Sequence, residues 1–146
     1  MSKVALVALL AFIDATVVAG AGCSAADQAY IHAHKGSDSS SFGQSCSHCG
    51  YEAYSVWSGF SKPKFDTCLV AKTQISETCA DCYADAGKYG AGNCKWDCSS
   101  SWCSSGCQSC TAPSLPDLKQ CTGFEPDPVA PCSSELFTYL NMTVVV

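Results

Sequence analysis

Arginine is absent from this chain, and all eight of its basic residues are lysine. Arginine's planar fork is the usual means of gripping phosphate and carboxylate groups in pairs of hydrogen bonds. With a net charge of −5 as well, nucleic acid and anionic membrane surfaces are excluded as expected partners. Aliphatic residues are also scarce. Of the 124 residues from Cys23 onward, 18 are Leu, Ile, Val or Phe, fewer than chains that fold by hydrophobic burial alone usually carry. Missing too are a glycine-rich phosphate loop and a Gly-x-Ser-x-Gly turn, so the common nucleotide-binding and hydrolase signatures do not apply.

The longest apolar run lies at the amino terminus. Lys3 precedes ten uninterrupted apolar residues, Val4 to Ile13, and Ala19-Gly20-Ala21 has the small side chains that a signal peptidase accepts. Residues 1–22 read as a signal peptide cut after Ala21 or Gly22, because Asp14 would be costly inside an uncleaved anchor. The chain is therefore expected to be secreted, extracellular or at the cell surface, with no transmembrane helix after cleavage.

Thirteen cysteines in an exported chain predict a disulfide framework. It takes over the cohesive role of the missing aliphatics. The expected fold is a small, mostly α-helical, disulfide-rich domain in which short helices are cross-linked by about six disulfides. Spacings of three and four recur at Cys46/Cys49, Cys79/Cys82, Cys94/Cys98, Cys103/Cys107 and Cys107/Cys110, and these are helical neighbours. The eleven-residue intervals 68–79, 110–121 and 121–132 are close to three helical turns.

Four segments follow. Residues 1–22 are the signal peptide, 23–45 a flexible polar segment, 46–123 the cysteine-rich helical domain, and 124–146 a proline-rich linker with an apolar tail. Within the domain the pattern predicts a helix from about Asp66 to Ala86, on which Cys68, Ile75, Cys79, Cys82 and Ala86 share one face. A second helix is expected over Tyr51 to Phe60, short ones over Asn93 to Cys98 and Trp102 to Cys110, and another over Ser114 to Cys121 with Pro116 in its first turn and Gly123 after its end.

The bridge candidates are Cys46, Cys49, Cys68, Cys79, Cys82, Cys94, Cys98, Cys103, Cys107, Cys110, Cys121 and Cys132. Since thirteen is odd, one cysteine must lack an intramolecular partner. Cys23, beside the cleavage site and far from the dense cluster, is the first candidate for a free thiol or for a disulfide-linked dimer; Cys132 is the other outlier. Connectivity stays open at this level.

Some motifs suggest chemistry. Cys46-Ser47-His48-Cys49 has the form of a thiol-disulfide redox pair, in which an imidazolium and a helix start favour the attacking thiolate. Its surroundings lack the strand pattern and preceding aromatic of such enzymes. The Cys-x-x-Cys pairs 46/49, 79/82 and 107/110 are a zinc-chelating type, but export favours oxidation, and neither metal nor cofactor is expected. His32-Ala33-His34 could place two imidazoles on one side of an extended segment, though a solvated stretch accounts for it. Asp81 and Asp85 read as the solvent face of a helix. Asn141-Met142-Thr143 is a glycosylation sequon. Trp57, Trp96, Trp102 and six tyrosines either fill a core short of aliphatics or form a recognition surface for a glycan, lipid or protein.

Cys46-x-x-Cys49 followed by Cys68 and Cys79 resembles the opening of saposin-like lipid-binding domains over roughly 35 residues. Cys82, Cys94 and Cys98 depart from that pattern. Lipid binding is the function this resemblance implies. The leading expectation is a non-catalytic, secreted or cell-surface protein that binds a partner (protein, glycan or lipid) or has an extracellular structural role. Thiol-disulfide exchange at Cys46/Cys49 and saposin-like lipid binding are the alternatives.

Overall fold

Serine starts most of the helices. In this computed structural model, which describes residues 22–132, the side chains of Ser24, Ser41, Ser76 and Ser104 accept hydrogen bonds from the backbone N–H groups of Asp27, Gln44, Cys79 and Cys107. Each bond satisfies a donor that the first helical turn leaves unpaired. The helices so begun are α1 (Ala25–Ala33), α2 (Phe42–Ala53), α4 (Glu77–Asn93) and α5 (Ser105–Thr111). Two more start on proline: α3 (Lys62–Thr73) and α6 (Leu115–Thr122), the latter following a single 3-10 turn, Ala112–Ser114. Gly123, at φ 82°, ends α6 in the left-handed conformation. The fold is thus the small helical, disulfide-rich type that the sequence predicts.

Three expected helices are built differently, and a fourth, Trp102 to Cys110, begins only at Ser105. Asn93 to Cys98 is not a helix: Asn93 ends α4 and the residues after it run through turns and bends, held to α5 by Cys94–Cys110 and Cys98–Cys107. Tyr51 to Phe60 is not one helix: α2 ends at Ala53, and Tyr54–Ser55 (β1) turns back to pair antiparallel with Gly59–Phe60 (β2). Gly59 at φ 75° permits that tight turn. Asp66 to Ala86 spans parts of two helices, broken where Gln74 adopts φ 60° and Ser76 caps α4.

The polar entry segment also differs from expectation. Residues 23–45 hold α1 and the start of α2. They are anchored by Cys23–Cys79 and by Asp27, whose carboxylate accepts hydrogen bonds from Ser24 N and Oγ (both 2.8 Å) and from Ser76 N (2.8 Å) and Oγ (2.7 Å). One carboxylate therefore joins the starts of α1 and α4. Burial pushes the Asp27 carboxyl up, but the hydrogen bonds from Ser24 and Ser76 outweigh it and hold the group below the usual range.

Six disulfides tie the elements: Cys23–Cys79, Cys49–Cys68, Cys82–Cys121, Cys94–Cys110, Cys98–Cys107 and Cys103–Cys132. Cys49–Cys68 joins α2 to α3, Cys82–Cys121 joins α4 to α6, and two rungs hold the 94–98 segment on α5. Of the sixteen buried apolar residues described, seven are halves of cystines, so sulfur does the work of absent aliphatic carbon. Phe65, Leu69, Ile31, Ile75, Phe42 and Leu118 make up the rest of the buried apolar set with Ala53, Ala80 and Ala84.

Two cysteine expectations are corrected. Cys23 is not the outlier, since folding of residues 23–45 onto α4 brings it to Cys79. The single thiol is Cys46, because its helical neighbour Cys49 is bonded across to Cys68. Cys132 is also bonded within the chain, to Cys103. The signal peptide (residues 1–21 of it), the apolar tail and Asn141 lie outside the described residues.

Candidate functional site

Small side chains on facing helices leave room between them. Along α2, Gly43, Cys46, Ser47, Gly50 and Tyr51 lie on one stripe; along α4, Ala86, Gly87, Gly90 and Ala91 do the same. Both stripes face a cavity of about 680 Å³, within the usual size of small-molecule sites, roughly 300 to 1,000 Å³. The glycines serve two purposes. At Gly43 a Cβ would fall 2.4 Å from the Trp102 ring, and at Gly87 one would fall 2.9 Å from Phe60, so aromatic rings rest on bare backbone there. At Gly50 and Gly90 a Cβ would meet nothing nearer than Phe65 at 4.0 Å and Thr111 at 3.8 Å, and the space remains open.

The cavity floor is apolar and buried: Ile31 from α1, Phe42 from α2, Phe65 from α3 and Leu118 from α6. Tyr83 meets Phe42 edge-on with ring centroids 4.8 Å apart. Trp102 is fixed by its Nε1–H donating to Gln44 Oε1 at 2.8 Å, while Gln108 Nε2 donates to the Trp102 carbonyl at 2.6 Å. The wall's polar groups are thus largely turned to one another. At the mouth, Tyr51, Val56 and Trp96 are 88%, 79% and 79% exposed.

The proline-rich segment closes one side. Pro126 to Val129 line the cavity as an extended strap, held by His32 Nδ1 to Asp127 Oδ2 at 2.5 Å, by Ser37 Oγ donating to the Pro131 carbonyl at 2.8 Å, and by Cys103–Cys132. The sequence reads this stretch as a linker. It is irregular and extended, yet it is also a wall of the site. His32 and His34 lie at the end of α1 rather than in an extended segment; His34 Nδ1 hydrogen-bonds the Tyr30 carbonyl at 2.8 Å.

Charge is sparse inside. Burial pushes the Cys46 thiol well above the ordinary thiol range, and burial with Cys46 and Asp127 nearby does the same to the Tyr83 phenol, so both are neutral at physiological pH. This is the opposite of an activated nucleophile, which needs a depressed pKa. His48 does not change that, because its Nε2 lies 3.1 Å from Glu52 Oε1 on the exposed side of α2. Asp81 and Asp85, exposed on the opposite side of α4, both bind Lys62, at 2.9 and 2.6 Å. Among the described residues no group of three or more His, Cys, Asp or Glu is placed to hold a metal ion, and no helix is long and apolar enough to cross a membrane.

The sequence singles out Cys46, Trp96 and Trp102, which the fold does bring to one cavity. It gives no sign of Phe42, Phe60, Phe65, Gly50 or Gly90 as lining. The alignment of small residues at 43, 47 and 50 on α2 and in the pairs 86/90 and 87/91 on α4 is the signal that points there. Comparison with protein-family models, curated proteins and solved structures found no match.

Proposed function

We propose that this is an exported, non-catalytic binding protein whose ligand is a small, largely uncharged apolar molecule of lipid type held in the cavity between α2 and α4. The cavity carries this reading: about 680 Å³ of space floored by Ile31, Phe42, Phe65 and Leu118, with an apolar rim. The half-buried Cys46 thiol and Tyr83 phenol add no charge. An apolar ligand there would supply dispersion contacts to the atoms lining the cavity, and a chain this poor in aliphatics would gain from them.

Export rests on the amino-terminal pattern and on the six bridges, which suit an oxidising compartment. Cleavage after Ala21 is favoured over cleavage after Gly22. Gly22 donates its N–H to the Cys121 carbonyl at 2.7 Å and seats where a Cβ would lie 2.6 Å from Cys82 Sγ, so it belongs to the folded unit.

The test is titration of the oxidised protein with Nile red, an uncharged fluorophore that brightens in apolar surroundings, followed by competition with a long-chain alcohol. Saturable enhancement reversed by the alcohol is expected. A native protein that leaves the dye's emission unchanged defeats the proposal.

A further inference from the structure

The described surface places its most exposed apolar side chains around one opening. Trp57, 95% exposed, stands beside Val56 in the turn between β1 and β2, and Val56, Tyr51 and Trp96 belong to the cavity's rim. Scattered exposed apolar residues are ordinary, whereas a set gathered at a binding mouth marks an interaction surface.

We infer that this rim is a docking surface for an uncharged or zwitterionic lipid surface, through which the apolar ligand enters and leaves the cavity; the inference rests on the ligand reading above. Three observations select that occupant. Tryptophan and tyrosine with lysine are the side chains that settle at a lipid–water boundary, their rings in the apolar layer and their polar ends wet. Here Lys35 and Lys95 are the lining's basic groups, and Lys95 Nζ lies 5.1 Å from the centre of the Trp96 ring. The lining carboxylate, Asp127, is engaged by His32. The acids that make the chain negative overall include Asp81 and Asp85, turned away on the far side of α4. The mouth thus presents two lysines and no free lining carboxylate, which suits the phosphate of a phosphocholine headgroup, while the net charge of −5 on the chain opposes approach to an anionic surface. Finally, the rim is continuous with the cavity, so an apolar ligand leaving Phe42 and Phe65 would pass Trp96 and Val56 directly into lipid without crossing water.

The experiment sediments sucrose-loaded phosphatidylcholine vesicles with the oxidised full chain and with Trp57→Ser, and separately titrates both with Nile red in the absence of vesicles. Trp57 does not line the cavity, so its loss is expected to weaken vesicle binding by roughly tenfold or more, the effect of withdrawing one large buried side chain, while dye affinity stays unchanged. Vesicle binding should also survive high salt. Protein that binds dye but stays in the supernatant overturns the docking surface and leaves the cavity reading intact. Vesicle binding without dye binding overturns the loading route and the cavity reading together. Concentration-dependent dimerisation that Trp57→Ser abolishes, without vesicle binding, would make the occupant a second copy and overturn the inference. Vesicle binding that appears only after removal of residues 133–146 would make that segment the occupant, with the same consequence.

Discussion

Leucine placed at Gly50 or Gly90 should raise stability and lower ligand affinity in the same protein. Both glycines are helix-interior residues whose side-chain positions open on the cavity, with nearest neighbours at 4.0 and 3.8 Å. Replacing a mid-helix glycine removes backbone freedom from the unfolded chain, about 0.5 to 1 kcal/mol in favour of the fold. The new side chain occupies the space of about four ligand carbons. At about 0.8 kcal/mol for each buried methylene, the ligand loses about 3 kcal/mol, or roughly a hundredfold in affinity. The assay pairs dye titration with thermal unfolding of the oxidised protein. Gly43→Ala is the contrast: its methyl would overlap the Trp102 ring, at 2.4 Å, and should cost about 1 to 3 kcal/mol of stability. Gly50→Leu and Gly90→Leu proteins that fold and bind dye with unchanged affinity would refute the placement of the ligand between α2 and α4.

Other outcomes follow from the same structure. Asp27→Asn leaves donors of Ser24 and Ser76 facing an amide, and should cost about 2 to 4 kcal/mol in denaturant unfolding, since hydrogen bonds to a charged group contribute about 1.5 to 3 kcal/mol each. Because folding holds the Asp27 carboxyl below its unfolded value, its contribution is present above about pH 4 and disappears as pH falls through the folded value; the variant's stability should be flatter across that acid range. Intact mass after alkylation without reductant should show one modified thiol, at Cys46, and saturating apolar ligand should slow the labelling. Excess reductant should abolish the native circular dichroism spectrum, because six bridges at roughly 2 to 4 kcal/mol each match or exceed the net stability of an ordinary domain.

The legible part of the fold is the part that local chemistry decides. Pro116 and Gly123 bracket α6 as read, and the pairs Cys46/Cys49, Cys79/Cys82 and Cys107/Cys110 sit on helices, whereas Cys94, Cys98 and Cys103 lie in the turns between α4 and α5. Long-range partners decide the rest. Nothing near Cys23 reveals that α1 folds back to bring it to Cys79, and parity alone leaves every cysteine equally eligible to be single. Ser76 followed by Glu77 is a helix-start signal that the regular stripe from Cys68 to Ala86 conceals; Asp27, 49 residues away, consolidates the break. Ser58-Gly59 flanked by Tyr54 and Phe60 is a turn signal that aromatic spacing obscures. The cavity is the least legible feature, because it consists of side chains that are not there.

Those missing side chains and the abundant cysteines are connected. In a core held by aliphatic packing, glycine and alanine stripes on α2 and α4 would draw together or lose stability, since each lining atom lacks partners on one side. Here Cys49–Cys68 and Cys82–Cys121 fix the outer sides of those two helices to α3 and α6, and Cys103–Cys132 pins the strap that walls the opening. Covalent links therefore keep apart walls that packing alone would close, and they release Trp96 and Tyr51 from core duty to the rim. Such a framework should be coupled to its ligand. An occupant at a hundred times its dissociation constant adds about 2.7 kcal/mol to the folded state, so unfolding at fixed protein concentration should shift upward with added ligand. At the same ligand concentration the shift should be small in Gly90→Leu, where the leucine takes part of the space and weakens binding.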